Sequence, residues 1–314
     1  MTRVAGIDCG TNSIRLLIAE IDGDNVTEIT RQNRIVRLGQ GVDASGRLDP
    51  AAIARTRKAL EEYAKMMKLE EVTAVRMVAT SATRDATNRE DFFSMTEEVL
   101  GEVVPGARAE VITGRAEAEL SFRGAITDLD PEMGPFCVID LGGGSTEFIV
   151  GDADGTVRGS HSTMMGTVRL TERFLTSDPA TEEEIKEAKE YIADRLDEVT
   201  DLVPLDQAKT FVGVAGSFTT LSALTQGLEN YDPADIQGSV LRFDALRVQN
   251  QQIVESSAAT LAANPVIMEG REDVIAAGSV IINEIMDLLA KHGADSFVIS
   301  ERDILDGIVV GLAS

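Results

Sequence analysis

Residues 137–151 read CVIDLGGGSTEFIVG and decide the fold. An apolar run leads to Asp140, three glycines follow, and Glu147 begins a second apolar run, a pattern typical of strand, tight turn and strand. Adjacent glycines permit positive φ and let a ligand approach the backbone N–H groups closely. A carboxylate at the strand end can hold a metal ion through water. The pattern predicts a phosphate loop beside a divalent cation, or else a glycine-rich hairpin turn without a ligand.

A second copy of this stretch lies near the N-terminus, where residues 4–23 read VAGIDCGTNSIRLLIAEIDG. A shift of 132 residues places Asp8 on Asp140 and Ser13 on Ser145 without any gap. The same strand–loop–strand unit therefore opens each half of the chain. We expect a duplicated fold in which two phosphate loops face each other across a cleft.

Composition bounds the class of protein. The chain has 314 residues, of which 43% are hydrophobic and 26% charged, as expected for two soluble domains that each bury a core. Because no apolar run can span a bilayer and no basic segment with an apolar region opens the sequence, we expect a cytoplasmic protein. The two cysteines, Cys9 and Cys137, are predicted to be small buried hydrophobic residues without a disulfide or zinc.

The formal net charge of −24 restricts the partners. Such a surface repels nucleic acid and anionic membranes, and we expect neither as a partner. It also repels a polyphosphate. An anionic ligand therefore requires a site where backbone N–H groups, a metal ion and a few arginines reverse the field locally.

Two further candidates lie between the copies of the loop unit. The polar segment 80–88 follows a predicted strand and carries Arg84, at a place where open α/β sheets put ligand loops. The helix predicted from Arg115 to about Ile126 carries Glu117 beside small residues that leave open space, whereas Glu119 is expected to pair with Arg123 four residues later. Glu117 is the better candidate for chemistry, and the alternative is that both glutamates are solvated surface charges.

A third possible anion site is the glycine turn at Gly216 and Ser217, just before a helix predicted at 218–226. Many strand–helix turns share this pattern. Longer helices are predicted at 243–263 and 271–291, and a strand at 25–38. A final apolar helix, capped by Asp303, is expected to return to the first domain, where its glycines would allow close packing.

Four stretches, in this order, read GIDCGTNSIRLLIAEI, ATSATRDATN, ITGRAEAELSFRGA and VIDLGGGSTEFIVG. Together they resemble the exopolyphosphatase/guanosine pentaphosphate phosphohydrolase (Ppx/GppA) family of the actin, Hsp70 and sugar-kinase superfamily, and GVAGSFTTLSAL and REDVIAAG are similar to later family positions. The resemblance implies an α/β fold of two duplicated actin-like (ribonuclease H-like) domains with a cleft between them. We expect the domains to be 1–124 plus 301–314, and 125–300, in the short form of the family.

The resemblance implies a Mg²⁺-dependent hydrolase that releases terminal orthophosphate from polyphosphate or, alternatively, from guanosine pentaphosphate. It implies Glu117 as the base that activates water and Arg84 as a phosphate contact. The metal ligands are expected to be Asp8, Asp140 and Glu147. The residues expected to bind phosphate are Gly10, Thr11, Asn12, Ser13, Gly142, Gly143, Gly144, Ser145, Thr146, Gly216 and Ser217.

Two other functions remain open on the sequence. A kinase of this superfamily would need a pocket for a second substrate and would consume ATP only with an acceptor. A nucleotide-binding sensor or actin-like assembly protein would bind nucleotide tightly with slow turnover. The family resemblance favours the hydrolase and also implies a homodimer.

Overall fold

The computed structural model describes residues 2–23 and 25–313, which divide into two compact units. One unit runs to Gly124 and takes up the chain again from Ile304, and the other is Ala125–Asp303. The second boundary lies three residues after the predicted one, at 303 instead of 300. Each unit has its own sheet and its own hydrophobic core.

The first unit is built on a five-stranded sheet. Its strands are β1 (Thr2–Cys9), β2 (Ser13–Asp22), β3 (Asn25–Ile35), β4 (Ala74–Ala79) and β5 (Ala109–Val111). Its helices are α1 (Val42–Ser45), α2 (Pro50–Leu69), α3 (Ser81–Asp85), α4 (Arg89–Gly101), α5 (Gly114–Ala125) and, last in the chain, α13 (Ile304–Ala313). The strand order is β3-β2-β1-β4-β5, with β1 antiparallel to β2 and parallel to β4.

The second unit is built on a six-stranded sheet. Its strands are β6 (Phe136–Leu141), β7 (Thr146–Gly151), β8 (Val157–Thr163), β9 (Thr210–Val214), β10 (Val240–Arg242) and β11 (Ser296–Ile299). Its helices are α6 (Thr167–Arg173), α7 (Glu182–Leu202), α8 (Ala215–Thr225), α9 (Pro233–Ile236), α10 (Phe243–Val254), α11 (Ala258–Ala262) and α12 (Ile275–Ala290). Single-turn 3₁₀ helices lie at Pro131–Met133 and Leu205–Gln207.

The order of the second sheet is β10-β11-β9-β6-β7-β8. Read from the other edge, β8-β7-β6-β9-β11 repeats the order of the first sheet, with the same antiparallel triplet and parallel neighbour. The predicted α/β class and the duplication of the unit are therefore confirmed. Strand β10, which pairs antiparallel to β11 at one edge, is an addition that the sequence patterns did not reveal.

Two long helices begin where their capping residues predict. The Asp49 carboxylate accepts a bond from the Ala51 N–H over 2.6 Å, with Pro50 in the first helical position of α2. A capping box of Thr181 and Glu184 starts α7, since each side chain bonds the backbone N–H of the other residue. These local bonds satisfy donors that a helix start otherwise leaves open.

Some predicted segments differ from the structure, in the first unit and in the second. Residues 80–88, predicted as a polar loop, contain the short helix α3. The predicted helix 243–263 is interrupted between α10 and α11. A new helix starts there because the Ser257 hydroxyl accepts a bond from the Thr260 N–H over 3.2 Å and caps it.

Helix α13 packs on the sheet of the first unit. A Cβ at Gly307 would overlap the Leu120 carbonyl, which confirms the prediction that glycine permits close packing here. Arg31 on β3 donates to the buried Asp306 carboxylate over 2.6 Å and ties the helix to the strand. Packing and an ion pair therefore join the C-terminal helix to this unit.

The environment of the cysteines and the character of the helices agree with the expectations from composition. Cys9 and Cys137 are buried free thiols, as predicted, and burial raises the pKa of each thiol. Within residues 2–23 and 25–313, no helix combines the length and the apolar character needed to span a bilayer.

Candidate functional site

Both predicted loops are closed by the same backbone bond. The Gly10 N–H donates to the Ser13 carbonyl over 2.9 Å, and the Gly142 N–H donates to the Ser145 carbonyl over 3.0 Å. The two turns therefore match residue for residue, as the 132-residue shift predicts. The N–H groups of Gly10 and Gly142 are used inside the turns, which leaves the N–H groups that follow them as the candidates for binding an anion.

In the second loop, residues 142–145, the carbonyl groups of the three glycines face helix α6. Four donors bind them. The Thr167 N–H donates to Gly142 (3.0 Å), the N–H groups of Val168 and Arg169 donate to Gly143 (2.8 and 3.1 Å), and Arg169 Nε donates to Gly144 (2.8 Å). In a planar trans peptide the carbonyl and the following N–H point in opposite directions. The N–H groups of residues 143–145 therefore point away from α6, and consecutive N–H groups of this kind form an anion-binding concavity.

The first loop is held in the same way by the segment 36–39, which follows β3. The N–H groups of Val36 and Arg37 donate to the Asn12 carbonyl over 3.0 and 2.8 Å, and the Gly39 N–H donates to Thr11 over 2.8 Å. The predicted strand 25–38 ends at residue 35 because the chain turns here to contact the loop. The N–H groups of residues 12 and 13 consequently point away from this segment.

Two hydroxyl groups predicted to bind phosphate are engaged elsewhere. Thr146 is fully buried and its hydroxyl donates to the Met165 carbonyl. The Thr11 hydroxyl shares a hydrogen bond of 2.9 Å with Ser81 on α3. A hydroxyl has one proton to donate, so Thr146 serves the packing of its unit and does not direct a donor to a ligand.

The two loops differ in the residue that lies opposite the aspartate. Asp8 faces Arg15 across β1 and β2, and Arg15 Nη2 and Nε donate to one of its oxygens over 2.7 and 3.0 Å. Asp140 instead faces Glu147 across β6 and β7, and the Ser162 hydroxyl donates to Glu147 over 2.6 Å. Arginine thus supplies the positive charge beside the first aspartate, whereas the second aspartate has a carboxylate for a neighbour.

This difference bears on the predicted metal ligands. Within the described part of the chain, no three His, Cys, Asp or Glu side chains are placed to hold a metal ion, so the predicted set of Asp8, Asp140 and Glu147 is not found as a cluster. Asp140 and Glu147 lie opposite each other on one face of the sheet and are both buried. Two carboxylates fit Mg²⁺, which binds one or two of them and completes its shell with water and substrate phosphate.

Glu117 and Arg84, both in the first unit, contact each other. Glu117 lies in the first turn of α5 with only 7% of its surface exposed. Arg84 Nη1 donates to Glu117 Oε2 and to the Ile112 carbonyl, each over 3.0 Å. The sequence analysis identified both residues but predicted separate roles for them. In the structure, the Arg84 guanidinium orients the Glu117 carboxylate.

Glu119 lies on the same helix and has a different environment. It pairs with Arg115 over 3.0 Å, and the Arg115 side chain is 83% exposed. The partner predicted from the sequence was Arg123. Because this pair is solvated, Glu119 has the surface role and Glu117 is the buried carboxylate.

The third candidate, at the start of α8, contains an arginine that the sequence interpretation left out of the site. Helix α8 begins at Ala215, three residues before the predicted start, so Gly216 and Ser217 lie in its first turn. A Cβ at Gly216 would overlap the guanidinium of Arg271, which therefore lies directly against the helix N-terminus. A cation is unfavourable at this positive end of the helix dipole. An anion bound there would be attracted by the Arg271 guanidinium and by the helix dipole.

Among the residues missed at these sites, Arg15 and Arg271 had a signal in the sequence. Arg15 falls on Glu147 under the 132-residue shift, so comparing the two copies position by position would have shown the change of charge. Arg271 lies in the segment REDVIAAG, which was quoted without a role. Ser162 gave no signal, since only its pairing with Glu147 across β7 and β8 identifies it.

Comparison with known proteins is consistent across sequence and structure. The model of the Ppx/GppA phosphatase family matches residues 17–314. The chain is 49% identical to exopolyphosphatase 2 of Mycobacterium tuberculosis over 100% of its own length and 99% of the relative's. The crystal structure of an exopolyphosphatase-like protein superposes with a TM-score of 0.93 at 39% identity, covering 99% of this chain and 97% of that one. A Ppx/GppA family member from Aquifex aeolicus gives a TM-score of 0.80 at 35% identity, with 99% and 97% covered.

Proposed function

The chain belongs to the Ppx/GppA phosphatase family, and from that premise we propose that it is an exopolyphosphatase, a phosphoanhydride hydrolase that releases terminal orthophosphate from inorganic polyphosphate. One structural observation carries the proposal. In the loop 142–145, the carbonyls of the three glycines are bound from one side, which directs the consecutive N–H groups of residues 143–145 to the other. In a chain of net charge −24, such a loop is suited to attract a phosphate chain.

Phosphate binding in this proposal uses backbone donors in both units. In the second unit the N–H groups of residues 143–145 bind phosphate oxygens, and Arg271 beside Gly216 supplies a cation at the N-terminus of α8. In the first unit the N–H groups of residues 12 and 13 do the same. Backbone donors cost little reorganisation on binding, because the carbonyl bonds behind them already hold the loops.

Glu117 is the proposed general base. Its carboxylate is buried, and Arg84 Nη1 and the first turn of α5 hold it in one orientation. It would accept a proton from water that attacks the terminal phosphorus. A guanidinium has five N–H donors and the bonds to Glu117 and Ile112 use Nη1, so we propose that Arg84 also contacts a phosphate oxygen through the rest of its fork.

Asp140 and Glu147 are the residues that we propose hold Mg²⁺, with Ser162 orienting Glu147. When bound, the ion neutralises charge on the phosphate oxygens. Asp8 contributes less to this site in the proposal, because Arg15 already neutralises its carboxylate. The role of Asp8 becomes that of fixing Arg15 next to the first loop.

Guanosine pentaphosphate is the second candidate substrate, since the family includes phosphohydrolases of both kinds and both substrates end in a phosphoanhydride. The experiment is Mg²⁺-dependent release of orthophosphate from tripolyphosphate, long polyphosphate, guanosine pentaphosphate and ATP, measured side by side. We expect release from the polyphosphates. ATP consumption only with an acceptor would identify a kinase, and tight nucleotide binding without release would identify a sensor.

Location and assembly belong to the same proposal. We propose that the protein acts in the cytoplasm as a homodimer, without nucleic acid or membrane as a partner. Light scattering across a range of concentrations tests the dimer, and fractionation of cells tests the location.

A further inference from the structure

A tripeptide repeats behind the two loops. Residues 36–38 read Val-Arg-Leu, and residues 168–170 read Val-Arg-Leu again, at the same shift of 132 residues that relates the loops. Each copy follows the last strand of an antiparallel triplet, β3 in one unit and β8 in the other. Each copy also bonds the carbonyls of its own loop. The duplicated unit therefore includes the segment that holds the loop, beyond the loop itself.

The two copies differ in what their arginine does. In the first unit the backbone N–H of Arg37 makes the bond to the loop, and Arg55 of α2 donates from Nε to the Val36 carbonyl over 3.0 Å. In the second unit the backbone N–H of Arg169 bonds Gly143 over 3.1 Å, and its side chain adds the 2.8 Å bond from Nε to Gly144. In the second copy the arginine therefore bonds the loop through its side chain as well as through its backbone.

The surroundings of Arg169 keep that side chain in place. The residue is 7% exposed, and burial lowers the pKa of its guanidinium. The neighbouring Arg173 stacks over the Tyr191 ring at 4.8 Å on the exposed side. The loop also rests on Gly166, where an added Cβ would lie 2.5 Å from the carbonyl carbon and oxygen of Gly143. Neither the arginine nor the loop has room to adopt another arrangement cheaply.

We propose that Arg169 is a positioning residue for the phosphate loop of the second unit. By holding the Gly144 carbonyl, its Nε directs the N–H of the next peptide, that of Ser145, to the opposite side. This inference rests on the proposed function, because it assumes that those N–H groups bind substrate phosphate. In this proposal Arg169 acts on the loop from the side of the Gly144 carbonyl.

The kinetic test compares Arg169→Met with Arg169→Lys and with the control Arg173→Met. Arg173 lies one turn later on α6, is exposed, and stacks over the Tyr191 ring. With tripolyphosphate as the substrate, we expect Arg169→Met to raise KM about tenfold to a hundredfold, the range for losing a charged hydrogen bond, with a smaller change in kcat. Arg169→Lys keeps a charged donor and should restore KM to within about fivefold of wild type. The KM of Arg173→Met should stay within about twofold of the wild-type value.

The structural test measures amide hydrogen exchange at Gly142, Thr167 and Val168, whose N–H groups bond the loop. We expect exchange at these amides to be at least about tenfold faster in Arg169→Met and unchanged in Arg173→Met. This measurement does not need activity. Faster exchange in a protein that releases no phosphate from any substrate would support the positioning role and refute the proposed function.

A second variant covers the case in which Arg169→Met does not fold. Gly166→Ala displaces the same loop from the same side without changing Arg169, so it should raise KM and speed exchange in the same way. Wild-type KM and wild-type exchange in a folded Arg169→Met protein would overturn the inference. So would Gly166→Ala with wild-type KM, because the loop would then not depend on its support.

Discussion

Glu117→Gln tests the role of the one buried glutamate in the candidate site of the first unit. The substitution keeps the size of the side chain and an oxygen that can accept the 3.0 Å bond from Arg84 Nη1. It removes the negative charge and the ability to accept a proton from water. The perturbation is therefore chemical, with little change in packing.

The expected effects of Glu117→Gln on the catalytic rate and on stability can be estimated from the structure. A positioned general base contributes about 10²- to 10⁴-fold to a rate, so kcat should fall by that factor while KM stays within about threefold. Stability should change far less. The Glu117 side chain is 9% exposed and that of Arg84 27%, and replacing a charged hydrogen bond by a neutral one costs about 1 kcal/mol in such a partly solvated pair.

The assay measures orthophosphate release from tripolyphosphate in the presence of Mg²⁺, with urea unfolding of each variant. Glu119→Gln is the matched control, because it makes the same chemical change two residues later on the same helix. Its pair with Arg115 is solvated and contributes about 0.3–0.5 kcal/mol. We expect this control to keep wild-type kcat and wild-type stability.

Turnover by Glu117→Gln at near the wild-type rate would refute the assignment of the base, and Glu147 would become the candidate. A loss of activity that matches a loss of folded protein would also count against it, since the role of Glu117 would then be structural. Equal losses in Glu117→Gln and Glu119→Gln would show that the effect comes from helix α5 and not from the buried carboxylate.

Three further predictions follow from other contacts. Gly216→Ala adds a Cβ that overlaps the Arg271 guanidinium, so KM for tripolyphosphate should rise about tenfold. Circular dichroism should show unchanged secondary structure. An unchanged KM would exclude Arg271 from substrate binding. Glu147→Gln removes one of two facing carboxylates and should raise the Mg²⁺ concentration for half-maximal activity at least about tenfold, whereas an unchanged requirement would place the metal elsewhere. Hydrogen bonds from the Thr181 backbone N–H and from nearby hydroxyls lower the pKa of Glu184 to about 2 from its ordinary 4.5. Because the pKa of Glu184 is lower in the folded state, its stabilising effect is present above about pH 4.5 and is lost as the pH falls towards 2. The difference in urea midpoint between wild type and Glu184→Gln should therefore narrow over that pH interval. A constant difference would contradict the assignment.

Much of the fold could be predicted because its signals are local. The helix caps at Asp49 and Thr181 lie within a few residues of the N–H groups that they bond, so short stretches of sequence carry them. The prediction of helices and strands failed where a single local hydrogen bond or a pairing with a distant strand decides the structure. Ser257 restarts a helix that the apolar periodicity would have continued, and β10 exists only because β11 lies beside it.

The candidate site was predicted in its residues more fully than in its contacts. The sequence named Glu117 and Arg84, yet their bond joins positions 33 apart in the chain and depends on how α3 and α5 pack. It named Thr146 as a phosphate ligand because hydroxyls often bind phosphate, and the fold instead directs that hydroxyl to Met165. The residue types that suit a reaction can be read from a sequence, but the partner of each polar group cannot.

By itself the sequence determined the duplication. A gapless shift of 132 residues places aspartate on aspartate and one glycine turn on the other, because the sterics of a tight turn restrict which residues can occupy it. Only the tertiary structure decided what each copy offers a ligand. The direction of the loop N–H groups depends on donors more than twenty residues away, at 36–39 and 167–169, and the approach of Arg271 to Gly216 joins residues still further apart. Such contacts arise from the packing of whole elements, and local propensity does not specify them.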